Sequence, residues 1–266
     1  MMKTKIKFTA GLLLLLLISG FTWQMVKATQ EGGGNRRLYF PIVAKAVSCQ
    51  NMGISYDSLT INGEPLGGDA SRNEEYNLGY RGYVPTAAPL RLVRLGPVHD
   101  VNAPQFNTLF DDLRRPTFSN AYQRVRWQNG VPVDTESPWD VTVLGLRTTP
   151  GERIRVPDSG YNVGEGHDAL VLYAEETRLT LKYTREDDVI YGYTVYIEDI
   201  CVNPELLALY RALNGNGRTI LPAVTGNQPL GRAIGNQIKV AIRDTGHFLD
   251  PRSCNDWWQA FPNACN

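Results

Sequence analysis

Three histidines, at positions 99, 167 and 247, are the side chains best suited to metal ligation or base catalysis, and none has a second histidine two or four residues away. That spacing argues against a histidine-built metal cluster, because two imidazoles share a strand or helix face only at such separations. His167 and Asp168, joined by a distant histidine, are the alternative: a zinc-dependent peptidase or other hydrolase with a non-standard site, requiring about three converging ligands. Serine chemistry lacks a Gly-x-Ser-x-Gly elbow. Glu175-Glu176 and Glu186-Asp187-Asp188 offer paired carboxylates, which glycoside hydrolysis uses only when they face each other across a cleft. Both groups lie between strand-like runs and read as polar hairpin turns. The residues therefore point to no catalytic set, no metal and no cofactor.

Cys49, Cys201, Cys254 and Cys265 allow three pairings if all are oxidised. Cys254 with Cys265 closes a short loop, which leaves Cys49 with Cys201 to tie the two halves of the chain together. Oxidised cysteines belong to an exported protein, and the amino terminus agrees. Lys3, Lys5 and Lys7 precede a leucine run at 12–17, and Val26-Lys27-Ala28 offers a cleavage site, so residues 1–28 read as a signal peptide. Kept uncleaved, the same segment would be a short membrane anchor, the one membrane contact expected. Its removal takes away four lysines and no acid, leaving 23 bases against 27 acids and no basic footprint for nucleic acid. The expected location is secreted or cell surface.

The elements that would position any site are mostly strands. Residues 29–47 form a glycine-rich linker with an edge segment at 38–44, where Pro41 is tolerated. Residues 48–150 carry short β-branched and aromatic runs at 55–61, 77–84, 90–95, 122–127 and 140–146, broken by turn residues such as Asn129-Gly130. Helical stretches are expected at 105–113 and 71–76. Tyr80, Tyr83, Trp127 and Trp139 are the large aromatics here, suited to core packing or to lining a binding face. Beyond 150, strands are expected at 154–156, 169–174, 179–183, 189–200 and 238–243, with one helix at 204–213 started by Pro204. The fold class is mostly β: a β-sandwich-like N-terminal region at 48–150, then a second β domain at 151–266 with one short helix and a disulfide-closed tail.

Within 158–251 several motifs fall in a familiar order. They are Gly160-Tyr161-Asn162-Val163, Val171 to Ala174, Tyr191-Gly192-Tyr193 to Ile197, Tyr210, Gly226 to Gly231, and a closing strand followed by Asp244-Thr245-Gly246 and Asp250-Pro251. In that order they resemble the lysostaphin-type zinc endopeptidases, over about 95 residues. The resemblance implies a β-barrel-sandwich with a substrate groove. It also implies zinc ligands and catalytic histidines where this chain has Asp158, Asn162, Ala212, Gln237 and Lys239, so the implied domain is a degenerate one that lacks the metal. A Lys239–Asp158 salt bridge is expected in place of the ion, and Asp158, Asn162, Tyr193, Tyr210, Gln237 and Lys239 are expected to line the former groove.

The tail from Cys254 to Cys265 carries Trp257, Trp258 and Phe261. Exposed, Trp257 and Trp258 would make an aromatic platform for a sugar or peptide; buried, they would close one end of the barrel. The function expected is that of a secreted, non-catalytic cell-envelope protein binding a cell-wall glycan or peptide, or acting as a surface scaffold.

Overall fold

The computed structural model describes residues 49–96, 100–128, 131–134 and 137–265. The leader, the linker with its edge segment, His99 and the Asn129-Gly130 turn lie outside the described residues, as does the side chain of Trp127.

The chain is mostly β. Its strands are β1 (Asp57–Thr60), β2 (Tyr83–Pro85), β3 (Phe118–Arg124), β4 (Arg126–Gln128), β5 (Val131–Asp134), β6 (Val143–Arg147), β7 (Arg153–Arg155), β8 (Ala169–Glu175), β9 (Arg178–Lys182), β10 (Tyr193–Glu198), β11 (Ile200–Val202), β12 (Ile220–Val224), β13 (Pro229–Ala233), β14 (Gln237–Asp244) and β15 (His247–Leu249). Among the described residues three α-helices accompany them: α1 (Leu78–Arg81), α2 (Pro204–Gly215) and α3 (Cys254–Trp257). Ten strands form one antiparallel sheet in the order β1-β12-β8-β9-β10-β14-β6-β3-β2, with β15 also on β14. A second sheet runs β11-β13-β7, and β4-β5 is a separate hairpin.

The large sheet crosses residue 150 without a break, because β6 pairs with β14 from Val240↔Leu144 to Gln237↔Arg147. Residues 45–266 form one compact unit, so the boundary expected at 150 falls inside it. The helices expected at 105–113 and 71–76 are only single turns, Phe106–Leu109 and Ala70–Arg72. Phe106, Leu109 and Phe110 are all fully buried, and the chain leaves the turn at once to pack them.

β8 and β10 are buried along nearly their whole length, as expected when both faces of a strand are covered. One cover is α2, which lays Leu206, Leu207 and Tyr210 on β8 and β12. Asn203 caps its first turn and Pro204 occupies a position where no helical N–H is missed. The other cover is segment 70–85. It lies over a polar row on the sheet, where Thr180 Oγ1 donates to the Tyr76 carbonyl, Tyr196 OH to the Glu75 carbonyl, and Tyr83 OH to Glu198. Arg243 pairs with Glu75, which also holds Arg81. A row of polar side chains that alternation alone would assign to solvent is thus roofed over and satisfied.

Two disulfides close the structure, Cys49–Cys201 and Cys254–Cys265, with Cα separations of 5.2 and 5.9 Å. Both expected pairings are present. Among the described residues no helix is long and apolar enough to cross a membrane.

Candidate functional site

The six residues expected to line one groove occupy separate places. Gln237 and Lys239 project from the same face of β14 at the point where β6 has joined it. Ser119 Oγ on β3 donates to Gln237 Oε1, and Lys239 Nζ forms a 2.7 Å ion pair with Asp199 while lying 5.6 Å from the Tyr83 ring centroid and 6.0 Å from that of Tyr122. Strands from the first half of the chain fill this face, so these two residues are tied into packing. The expected Lys239–Asp158 bridge is replaced by the Asp199 pair, whose carboxylate sits at the β10–β11 turn beside β14.

Asp158 lies instead near the turn after β12. Its N–H donates to Thr108 Oγ1 at 2.7 Å, and its carbonyl accepts from Gln105 N–H at 2.9 Å. Next to it, Asp168 accepts from Gly226 N–H at 2.7 Å and from both the N–H and the hydroxyl of Ser159. Burial, and secondarily the nearby Asp158 charge, hold the Asp168 carboxyl above the ordinary range despite these bonds. Asn162 is exposed and uses its Oδ1 to accept from Gly164 N–H, a turn-forming bond. Tyr210 is buried under α2, where Arg218 donates to its hydroxyl at 3.2 Å.

His167 is engaged at both ring nitrogens, Nδ1 at 3.1 Å from the Gly164 carbonyl and Nε2 at 3.1 Å from Asp57 Oδ2. Asp168 faces Ser159 and Gly226 rather than the imidazole's partners. Among the described residues no three His, Cys, Asp or Glu side chains converge as a metal would need. Glu186, Asp187 and Asp188 lie in the turn that joins the antiparallel pair β9 and β10, as expected, but Asp187 points inward. Asp187 is fully buried and receives Arg218 through two nitrogens, at 2.6 and 2.9 Å, together with the Tyr76 hydroxyl and Leu66 N–H.

Trp257 and Trp258 are 2% and 0% exposed, so no aromatic platform stands in solvent. Their indole N–H groups donate to the Asp250 and Pro251 carbonyls, both at 2.9 Å. Trp258 packs edge-on against Phe106 and beside Phe118, and Trp257 packs on Tyr193 at 5.5 Å between centroids. Burial of these rings drives the tail onto the sheet, and the Cys254–Cys265 bond holds it there.

The same docking creates a pocket of about 290 Å³ between the tail and the end of β14. Leu95, Trp139, Leu249 and Trp257 supply its apolar wall, and Asp244, Asp250, Asp256 and Ser253 its polar one. Asp250 is held by Arg252 through bonds of 2.6 to 3.2 Å, and Ser253 Oγ donates to Asp256. Asp244, half-buried, forms no ion pair among the described residues. Burial first, and then the Asp100 charge, push its carboxyl above the usual range, against the opposing pull of Lys182 and His247. Tyr193 stands opposite Asp244 in the β10–β14 register, and Tyr161, edge-on to Tyr193, donates to Asp100 Oδ2 at 2.6 Å. Of the groove residues, Tyr193 alone adjoins this site. Sequence reading singled out Trp139 and Trp257 but missed Asp244 as a site residue, because its place in the Asp-x-Gly turn gave it a purely structural meaning. Comparison with protein-family models and with curated proteins finds no match for this chain.

Proposed function

We propose that this chain is an exported, non-catalytic binding protein of the cell envelope, built on a degenerate lysostaphin-type domain and taking a cell-wall glycan or peptide fragment. The observation that carries the reading is the pocket between Trp139, Trp257 and Asp244. It is concave, walled by aromatic and aliphatic side chains, and supplied with a few polar groups, the usual make-up of a small-ligand site. Two disulfides suit a protein that works outside the cytoplasm. The former catalytic strand offers no competing site, because Gln237 and Lys239 are engaged by Ser119 and Asp199.

Co-sedimentation with purified peptidoglycan sacculi tests the reading. The wild-type chain is expected in the pellet, and Trp139→Ala, which removes a half-buried pocket wall without opening the core, is expected largely in the supernatant. Equal retention of the two would place binding elsewhere, and no retention of either would end the envelope-binding reading.

A further inference from the structure

We infer that the pocket takes an alkylammonium group, with the cation against Asp244 and its aliphatic stem along Trp139; this rests on the proposed binding role and names the chemistry recognised. The pocket's polar wall is dominated by acceptors, the three carboxylates, with the Trp139 indole N–H the donor left beside them. Its Ser253 hydroxyl and Trp257 indole N–H are already used on Asp256 and the Asp250 carbonyl. An ammonium brings three donors and no acceptor, which matches such a wall, whereas sugar hydroxyls ask for donors as well. Charge points the same way. Arg252 balances Asp250; Lys182 and His247 act on Asp244 from a distance and are opposed by the Asp100 charge, but no described cation forms an ion pair with it. An aromatic face next to a carboxylate attracts an organic cation through both its ring and its neighbour.

Titration calorimetry with Nα-acetyl-lysine amide, its Nε-acetylated derivative and N-acetylglucosamine separates the outcomes, using the oxidised chain. The free-amine probe is expected to bind with a Kd of about 1 mM or tighter. Acetylation of its amine, or Asp244→Asn in the protein, is expected to weaken it at least tenfold, and Asp244→Glu to restore part of the loss. Thermal melting establishes that both variants fold. Equal binding of the two lysine derivatives, or binding of the sugar alone, would overturn the ammonium assignment and leave the pocket as the site. Absence of all probe binding alongside Trp139-dependent retention on sacculi would do the same. Loss of that retention would remove the binding role itself.

Discussion

Lys182 is fully buried, with Nζ donating to the Tyr191 carbonyl and 3.8 Å from Asp188. Burial lowers its pKa from 10.5 to about 8, against the attraction of Asp188 and Glu186. Between those two values the unfolded chain holds the proton more firmly than the folded one, so stability rises as pH increases from about 8 toward 10. The full difference amounts to at most about 3 kcal/mol. Urea melts at pH 8 and pH 10 are expected to show the rise in the wild type and not in Lys182→Met; an unchanged slope in the variant would assign it to another group. Asp187 makes a contrasting case, since its charge is paired with Arg218 at full burial. Asp187→Ala strands that guanidinium among Leu172, Tyr210 and Asn214 and is expected to cost about 3–5 kcal/mol in the same assay. A loss under 1 kcal/mol would mean that water reaches the guanidinium.

The tail element behaves as a plug whose side chains are shared between stability and function. Trp258 is wholly interior, and Trp258→Ala is expected to cost about 3–5 kcal/mol of unfolding free energy. Trp139→Ala, at the pocket wall, is expected to lower stability far less while abolishing retention on sacculi. The element-level pattern explains what could be read beforehand. β8 to β10, α2 and β14 declare themselves through β-branched runs and a Pro-initiated apolar stripe, and both disulfides follow from spacing. Gly231 also has a local reason, since a Cβ there would run into the Cys201 carbonyl of β11. What was not legible is which covers lie on the faces. The polar row Thr180, Lys182, Thr194, Tyr196 and Glu198 alternates like a solvent face, and it is buried by distant segments: 70–85, Phe248 stacked on Tyr196, and the 188–191 turn at Lys182. The burial of Asp187 was not legible for the same reason, because its partner Arg218 comes from a distant segment.

At the scale of the whole molecule, β6, β3 and β2 continue the sheet from β14, and β1 pairs with β12 at the other edge. Residues 151–266 alone would uncover the edge of β14 and the buried Ile238 and Val240 that β6 flanks. Calorimetry of residues 49–266 is therefore expected to give one transition, and the isolated 151–266 fragment no cooperative transition; a fragment that melts cooperatively would restore the two-domain division. This arrangement also accounts for the separation of the residues expected to share one groove. Strands from the first half of the chain cover the face from which Gln237 and Lys239 project, and the tail opens a concavity elsewhere. The most direct measurement is a two-dimensional NMR titration with solubilised peptidoglycan fragments. The account predicts saturable shifts at the Trp139 and Trp257 indole N–H groups with the Gln237 and Asn162 side-chain amides unmoved; shifts at Gln237 and Asn162 with the two indoles still would contradict it.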